Sequence, residues 1–521
     1  MTTGADALLG SLEAEGVTVC FANPGTTELD FVRAFERHPK IRCVVGLQEN
    51  VCTGAADGYG RMRGRPAATL LHLGPGFANG IANLHNARRA HTPIVNLIGD
   101  HASWHLAADA PLTSDIVSLA HPVSGWVHRV ASVEDMAPAG ANAVSQSLAH
   151  GGQGATLIVP ADYQAAALDP VTSTRSPSSL KPATAASSGV AADLPQWVQR
   201  LRAARKPLFL LGGGGPDSGL GERGQRAVAR LCTLLGGTAY AETFPARAER
   251  GAGLPDFDRL PYFPEPARAV LDVADLVILA GALPPVTYFG YDGHPSFLVE
   301  PQRLLTLATP GLPVADALEA LADALGAAPF SVAASAPAAP ADGALTPHNI
   351  GAALSHDLPA QTIVSVEGGT CGYPFYAASA NARRHTALTN TGGAIGQGLP
   401  VALGAAIAEP DRQVVALVSD GSTQYTVQAL WSMAHENARV VVLVAANHQY
   451  AILRNELRRG NAPLGERAAQ MTGLDNPRID WVRLAEAYGV PARRAATVSE
   501  LRAGMAEGFA RSGPLLIEMQ L

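Results

Sequence analysis

The sequence predicts an α/β protein built from three consecutive open parallel-sheet domains. Three observations carry this. The chain of 521 residues exceeds what one hydrophobic core ordinarily organises. Short apolar runs alternate with helical patterns along its whole length, the sign of strands joined by crossover helices. Composition also breaks twice, at a Ser/Pro/Thr/Ala-rich stretch, 172–188, and an Ala/Pro-rich stretch, 333–343, and both read as linkers. The predicted domains are therefore 1–171, 189–332 and 344–521.

In chain order, the first block has apolar runs at 17–21, 43–47, 68–72, 94–98 and 155–159. They are continuous rather than alternating, as strands buried on both faces are. The middle block shows 207–211 and 276–280, and the third 362–366, 414–418, 440–446 and 514–518. A helix is predicted over 398–408 and another over 424–436.

Composition excludes several functions. With 47% hydrophobic and 16% charged residues the chain reads as a compact protein, not a disordered one. A net charge of −7 argues against general nucleic-acid binding. The five cysteines are scattered, with no Cys-x-x-Cys pair, which suits a reducing compartment and neither a disulfide framework nor a zinc site. The N-terminus lacks a basic start and apolar core, and no apolar run reaches the length of a membrane span. A cytoplasmic protein without membrane partners is expected.

The most informative motif is Ser419-Asp420-Gly421-Ser422, with Asn447 27 positions beyond Asp420. Read as strand, turn, helix, strand, it puts a carboxylate and a carboxamide at the carboxyl ends of two neighbouring parallel strands, where open α/β sheets bind ligands. Backbone N–H groups at Gly421 and Ser422 suit a phosphate. The hard oxygens of Asp420 and Asn447 suit Mg²⁺ sharing it. A plain solvated Asp-Gly turn is the competing reading of these residues alone.

This spacing resembles the cofactor motif of thiamin diphosphate (ThDP) enzymes, with two departures: Ser419 replaces a glycine, and Ala446-Asn447 replaces paired asparagines. A second segment, Leu47-Gln48-Glu49-Asn50 followed by Gly54-Ala55-Ala56-Asp57-Gly58-Tyr59-Gly60-Arg61, resembles the part of that family holding its catalytic glutamate. The three-block organisation is similar to that of the ThDP-dependent decarboxylases and synthases, with pyrimidine-binding, central and diphosphate-binding domains. The resemblance implies ThDP and Mg²⁺ as cofactors. It implies that Glu49 hydrogen-bonds the aminopyrimidine from an apolar pocket. In Gly392-Gly393-Ala394-Ile395-Gly396, Ile395 becomes the wedge that bends the cofactor and the Gly393 carbonyl an acceptor from its amino group. Asp420, Asn447 and the Gln449 carbonyl become metal ligands, with Gly421, Ser422, Gly369, Thr370 and Tyr450 about the diphosphate. The run Gly212-Gly213-Gly214-Gly215 follows a strand where some relatives bind FAD or ADP, but it does not match Gly-x-Gly-x-x-Gly, and a structural turn is the expectation.

The branch of the family is read from further positions. Asn23-Pro24-Gly25-Thr26-Thr27-Glu28-Leu29 and His72 resemble benzoylformate decarboxylases, which makes Thr26 and His72 catalytic candidates. Gly74-Pro75-Gly76 resembles acetolactate synthases. Phe289 stands where the decarboxylases carry a second histidine, and Leu453 where pyruvate decarboxylases carry a glutamate. An aldehyde-releasing enzyme must protonate a carbanionic carbon, and a positioned acid assists that step. Its shortage favours carboligation: a small 2-oxo acid donor, pyruvate or 2-oxobutyrate, joined to a second carbonyl acceptor. Ile452 would limit donor size, with Leu112 and Glu456 as further pocket candidates. The alternatives are a non-oxidative 2-oxo acid decarboxylase, a catalytically silent regulatory subunit (which predicts erosion of Glu49, Asp420 or Asn447, all present), and a nicotinamide dehydrogenase, for which no fingerprint is convincing. The resemblance further implies a homodimer or homotetramer with active sites between subunits.

Overall fold

The computed structural model describes residues 2–168, 188–333, 335–460 and 462–521; the predicted linker 172–188 lies, apart from Ser188, outside them. Strands β1 (Val19–Asn23), β2 (Arg42–Val45), β3 (Ala67–His72), β4 (Ile94–Asp100), β5 (Trp126–Arg129) and β6 (Gly154–Pro160) form one parallel sheet in the order β2-β1-β3-β4-β6-β5. The chain leaves β1 for β2 on one side and takes β3 on the other. The carboxyl ends of β1, β2 and β3 therefore surround a topological switch point.

A second parallel sheet joins β7 (Pro207–Leu211), β8 (Thr238–Ala241), β10 (Leu276–Ala280) and β11 (Leu304–Ala308) in the order β11-β10-β7-β8. Strand β9 (Ala248–Arg250) pairs antiparallel with β13 (His385–Thr389). The remaining strands are β12 (Thr362–Val366), β14 (Val414–Ser419), β15 (Val440–Ala446), β16 (Ala492–Ala495) and β17 (Leu515–Gln520). They run parallel in the order β16-β17-β15-β14-β12. The continuous apolar runs have their cause here: β6, β7, β10, β12 and β15 are buried along their whole length.

Two compact units result: Met1–Leu180 with Pro337–Ser379 and Gly392–Leu521, and Lys181–Ala336 with Ala380–Thr391. Within the first unit the helix Glu49–Arg63 lies against the helix Gly398–Ala408. Backbones meet there, since a Cβ at Gly404 would stand 1.9 Å from the Ala55 carbonyl oxygen and one at Gly58 2.2 Å from that of Val401. The Gly398–Ala408 helix is buried on all sides, as its uniformly apolar sequence requires.

One predicted element differs. In place of a single helix over 424–436, the chain makes Asp420–Thr423, a 3₁₀ turn Gln424–Thr426, and Ala429–His435. The Ser422 and Thr423 hydroxyls both donate to the Ser419 carbonyl, at 3.0 and 2.7 Å. Such side-chain bonds compete with the helical ladder, and a 3₁₀ turn follows.

Candidate active site

Asp420 begins its helical turn immediately beyond β14, and Asn447 follows β15 directly. The two strands are neighbours with Ser419 opposite Ala445, so both side chains stand at adjacent carboxyl ends. Asp420 is buried, and its carboxylate accepts from the Gly421 N–H at 2.8 Å and the His448 N–H at 2.6 Å. Burial raises its pKa against those two backbone bonds, and among the described residues no Arg or Lys pairs with it. A buried carboxylate lacking a counter-charge fits a cation. No three His, Cys, Asp or Glu side chains gather as a metal site among the described residues. A hard cation at Asp420 would accordingly draw on the Asn447 amide oxygen, a backbone carbonyl and ligand oxygens.

The neighbouring groups are held in place. Asn447 Nδ2 donates to Thr370 Oγ1 at 3.3 Å, while its Oδ1 accepts from the Gln449 N–H at 3.1 Å. The Gln449 carbonyl accepts from the Ala451 N–H at 3.0 Å, and Arg454 holds the Gln449 side chain. His448 takes φ 55, a left-handed conformation uncommon without glycine, which aims its N–H at Asp420. The Tyr450 ring covers Gly421, where a Cβ would stand 2.6 Å from it. Burial, then Tyr425, pushes the Tyr450 hydroxyl up. Gly369 and Thr370 open the helix Gly369–Ala378.

The turn carrying Ile395 is anchored from behind. Glu367, buried at the end of β12, accepts from the N–H groups of Gly396, Gln397 and Gly398 at 2.7, 3.1 and 2.8 Å. Gly393 has φ 79, and a Cβ there would face open space. The Gly393 side of the turn is thus a cradle, and its far side is protein.

The other half of the site rings the switch point of the first sheet. Glu49 opens its helix, half-buried, with Asn79 Nδ2 donating to its Oε2 at 3.1 Å. The expected apolar enclosure is not made within one chain: the flanking Val45 and Leu47 are exposed. Among the described residues Glu49 is hydrogen-bonded by Asn79, whereas Asp420 is bonded by Gly421 and His448 and the Ile395 turn is held by Glu367. His72 ends β3, and its Nδ1 lies 2.8 Å from Glu28 Oε2. Facing a carboxylate, Nδ1 carries the proton, which fixes the tautomer and leaves Nε2 for other partners.

Glu28 escaped the sequence reading, although the signal was present in the Gly-Thr-Thr-Glu segment itself. It is fully buried and also accepts from the Gly25 N–H at 2.8 Å and Thr27 Oγ1 at 2.6 Å. The hydroxyl meeting His72 is that of Thr27, at 3.2 Å, while Thr26 is exposed. Ile452 and Leu453 lie exposed on the helix Ala451–Arg459, with Glu456 half-buried one turn on. Leu112 is exposed in the loop before the helix Ile116–Ala120. Phe289 belongs to the second unit, where it edges against Tyr288 and Tyr291. The glycine run lies there too: a Cβ at Gly212 would stand 1.7 Å from the Gly281 oxygen and one at Gly213 2.7 Å from that of Arg247, so protein backbone fills these approaches.

The family described as "Thiamine pyrophosphate enzyme, N-terminal TPP binding domain" matches residues 2–119, and its C-terminal TPP binding domain matches residues 367–519. The chain is 45% identical over 530 residues to the Mycobacterium tuberculosis protein named "Putative acetolactate synthase large subunit IlvX", covering 99% of this chain and 98% of that one. It is 29% identical over 534 residues to benzoylformate decarboxylase of Pseudomonas aeruginosa, covering 98% and 97%. The Rhodococcus jostii ThDP-dependent 4-hydroxybenzoylformate decarboxylase superposes with a TM-score of 0.83 at 27% identity, covering 99% of each chain. With Glu49 inside the first matched segment and Asp420, Asn447 and Ile395 inside the second, the chain belongs to the thiamin diphosphate enzyme family of acetolactate synthases and benzoylformate decarboxylases.

Proposed function

We propose that this protein is a ThDP- and Mg²⁺-dependent carboligase that decarboxylates pyruvate or 2-oxobutyrate and transfers the acyl unit to a second carbonyl. ThDP supplies the electron sink that the decarboxylation requires. Asp420, Asn447 and the Gln449 carbonyl hold Mg²⁺ in this reading, with the Gly421 and Ser422 N–H groups toward the diphosphate. Glu49 holds a proton against the aminopyrimidine, and the turn at Gly393 and Ile395 fixes the cofactor's bend. We place the complete site between subunits of a cytoplasmic homodimer or homotetramer, since Glu49 is left half-covered in the single chain.

The observation that carries the choice of reaction is the pair Ile452 and Leu453, apolar and exposed on the helix beyond the clamp. Apolar groups beside the reacting carbon provide no acid to release an aldehyde, which leaves a second carbonyl as the electrophile. The relative named as an acetolactate synthase large subunit supports the same reading. One observation favours a decarboxylase instead: His72, oriented by Glu28, offers a positioned imidazole whose Nε2 can take up a proton and pass it on. Reconstitution with ThDP and Mg²⁺, then product identification from 2-oxo acids with and without aldehyde or 2-oxo acid acceptors, separates the two. Acetolactate-type products from pyruvate are expected. Aldehyde as sole product, or faster turnover of benzoylformate than of pyruvate, sinks the carboligase reading.

A further inference from the structure

The turn after β15, which brings His448 and Gln449 to Asp420, has a second segment laid against it. The His448 carbonyl accepts from the Leu474 N–H at 2.8 Å, and the Tyr450 N–H donates to the Thr472 carbonyl at 2.9 Å. These two bonds flank an antiparallel bridge between Gln449 and Gly473. A pairing that short is marginal by itself. Arg454, on the helix Ala451–Arg459, adds a third connection. Its Nε donates to Thr472 Oγ1 at 3.0 Å, its Nη2 to the Ala469 carbonyl at 3.4 Å, and its Nη1 to Gln449 Oε1. Thr472 is buried, and its hydroxyl donates in turn to the Ala468 carbonyl at 2.7 Å. Ala469 and Thr472 lie in the last turn of the helix Glu466–Thr472, where carbonyls lack helical partners and a cation is favoured.

From these contacts we propose that Arg454 is a positioning residue for the metal site: it rivets the 469–474 segment onto the 448–450 turn and so fixes the backbone that faces Asp420. The physical reason lies in His448. Its φ of 55 is a conformation that persists only where the surroundings hold the residue at both ends. Its N–H is held by the Asp420 carboxylate at 2.6 Å, and its carbonyl by Leu474. If the 469–474 segment lifts, the carbonyl loses its partner, His448 relaxes, and the peptide carrying Gln449 turns with it. A planar guanidinium meets the acceptors of Gln449, Ala469 and Thr472 in one fixed geometry, which a lysine ammonium does not reproduce. Asp420 and residues 447–474 belong to one unit of one chain, so no second copy enters the argument. The consequence for the metal rests on the ThDP and Mg²⁺ reading, whereas the rivet is a property of the protein alone.

Arg454→Met keeps the length of the side chain and removes every donor. Amide hydrogen exchange of the cofactor-free protein reads the rivet directly. The Tyr450 and Leu474 amides should exchange about tenfold faster, with those of β15 and β17 unchanged. Calorimetric titration of Mg²⁺ in the presence of ThDP then reads positioning. Half-saturation should need about 10- to 100-fold more Mg²⁺, while C2–H exchange of bound ThDP at saturating Mg²⁺ keeps the wild-type rate. Arg454→Lys keeps the charge without the fork and should behave like Arg454→Met. Thr472→Val removes one acceptor and should do less, and combined with Arg454→Met it should add nothing. Unchanged exchange of Tyr450 and Leu474 overturns the proposal. So do an unchanged Mg²⁺ requirement, full recovery by lysine, or loosening of β15 and β17 along with the turn. Should Arg454→Met fail to fold, Arg454→Lys and Thr472→Val carry the same comparison. Wild-type protein that binds no ThDP would refute the cofactor reading, and the exchange of Tyr450 and Leu474 would still decide on the rivet.

Discussion

Glu28 is fully buried beside a histidine, and both of its carboxylate oxygens are engaged, by Gly25 and His72 on one and Thr27 on the other. A charge held so closely acts through what it orients. Glu28→Gln preserves the size and removes the charge, so the His72 tautomer is no longer fixed. Expected is a loss in kcat/KM of about 10- to 100-fold, about 1.4–2.7 kcal/mol. His72→Ala should cost a similar amount, and the double variant no more than His72→Ala alone, because both changes break one unit. Additive losses would show that Glu28 works independently of His72. Glu49, Asp420 and Asn447 stood out as candidates in the sequence because each lies in a short motif whose neighbours constrain it, and the structure brings Asp420 and Asn447 to adjacent strand ends. Glu28 lies in such a motif too, but its role was not legible there, since the histidine it orients sits 44 positions away along the chain and only folding brings the two together.

Elements were legible wherever burial on both faces imposes a continuous apolar run, as in β4, β6, β7, β14 and β15. Strands β5, β8 and β16 were missed for a shared reason. Each is an edge strand, and Trp126-Val127-His128-Arg129 or Ala492-Arg493-Arg494-Ala495 has polar residues where a central strand would be apolar. The contact of the Glu49–Arg63 and Gly398–Ala408 helices gives an element-scale test. Gly404→Ala places a methyl group where the Ala55 oxygen already stands, 1.9 Å away. The helices must separate, and a loss of about 1–3 kcal/mol is expected, read as a lower urea midpoint at unchanged slope. An unchanged midpoint would mean that the pair shifts without cost. Strand β13 offers a test by pH. Burial holds the buried His385 neutral and depresses its pKa to about 4 from an ordinary 6.5. The unfolded chain then takes up the proton more readily, so the contribution is full above pH 6.5 and disappears as pH falls toward 4. About 3 kcal/mol of stability is at stake. His385→Gln should flatten that acid limb in denaturation curves between pH 7 and 4, and an unaltered slope would assign the limb to other groups.

At the scale of the whole molecule, composition breaks mark where the chain changes block but not which blocks pack together. The association of residues 1–180 with 337–379 and 392–521 depends on pairs hundreds of positions apart. Ser432 Oγ donates to the Val45 carbonyl at 2.7 Å, Arg42 pairs with Glu436, and Ala55 abuts Gly404. No local pattern encodes these. The same packing leaves the residues around Glu49 incompletely covered: Leu47 is 46% exposed and Val45 39%. Apolar side chains flanking the Glu49 carboxylate are costly to leave in water, about 25 cal/mol for each Å² that a second surface would cover. A second copy supplying that surface would enclose Glu49 and raise its local field at the same time. Leu47→Glu puts a charge into that contact while leaving the side chain in solvent in the single chain, so the isolated fold should keep its melting temperature. Expected is a shift toward monomer in sedimentation, together with at least a tenfold weaker ThDP affinity that recovers at high protein concentration. The linkage follows from mass action, because a cofactor that binds only the closed site draws the copies together. Leu47→Glu protein that sediments as a monomer yet binds ThDP as tightly as wild type would place the whole site within one chain.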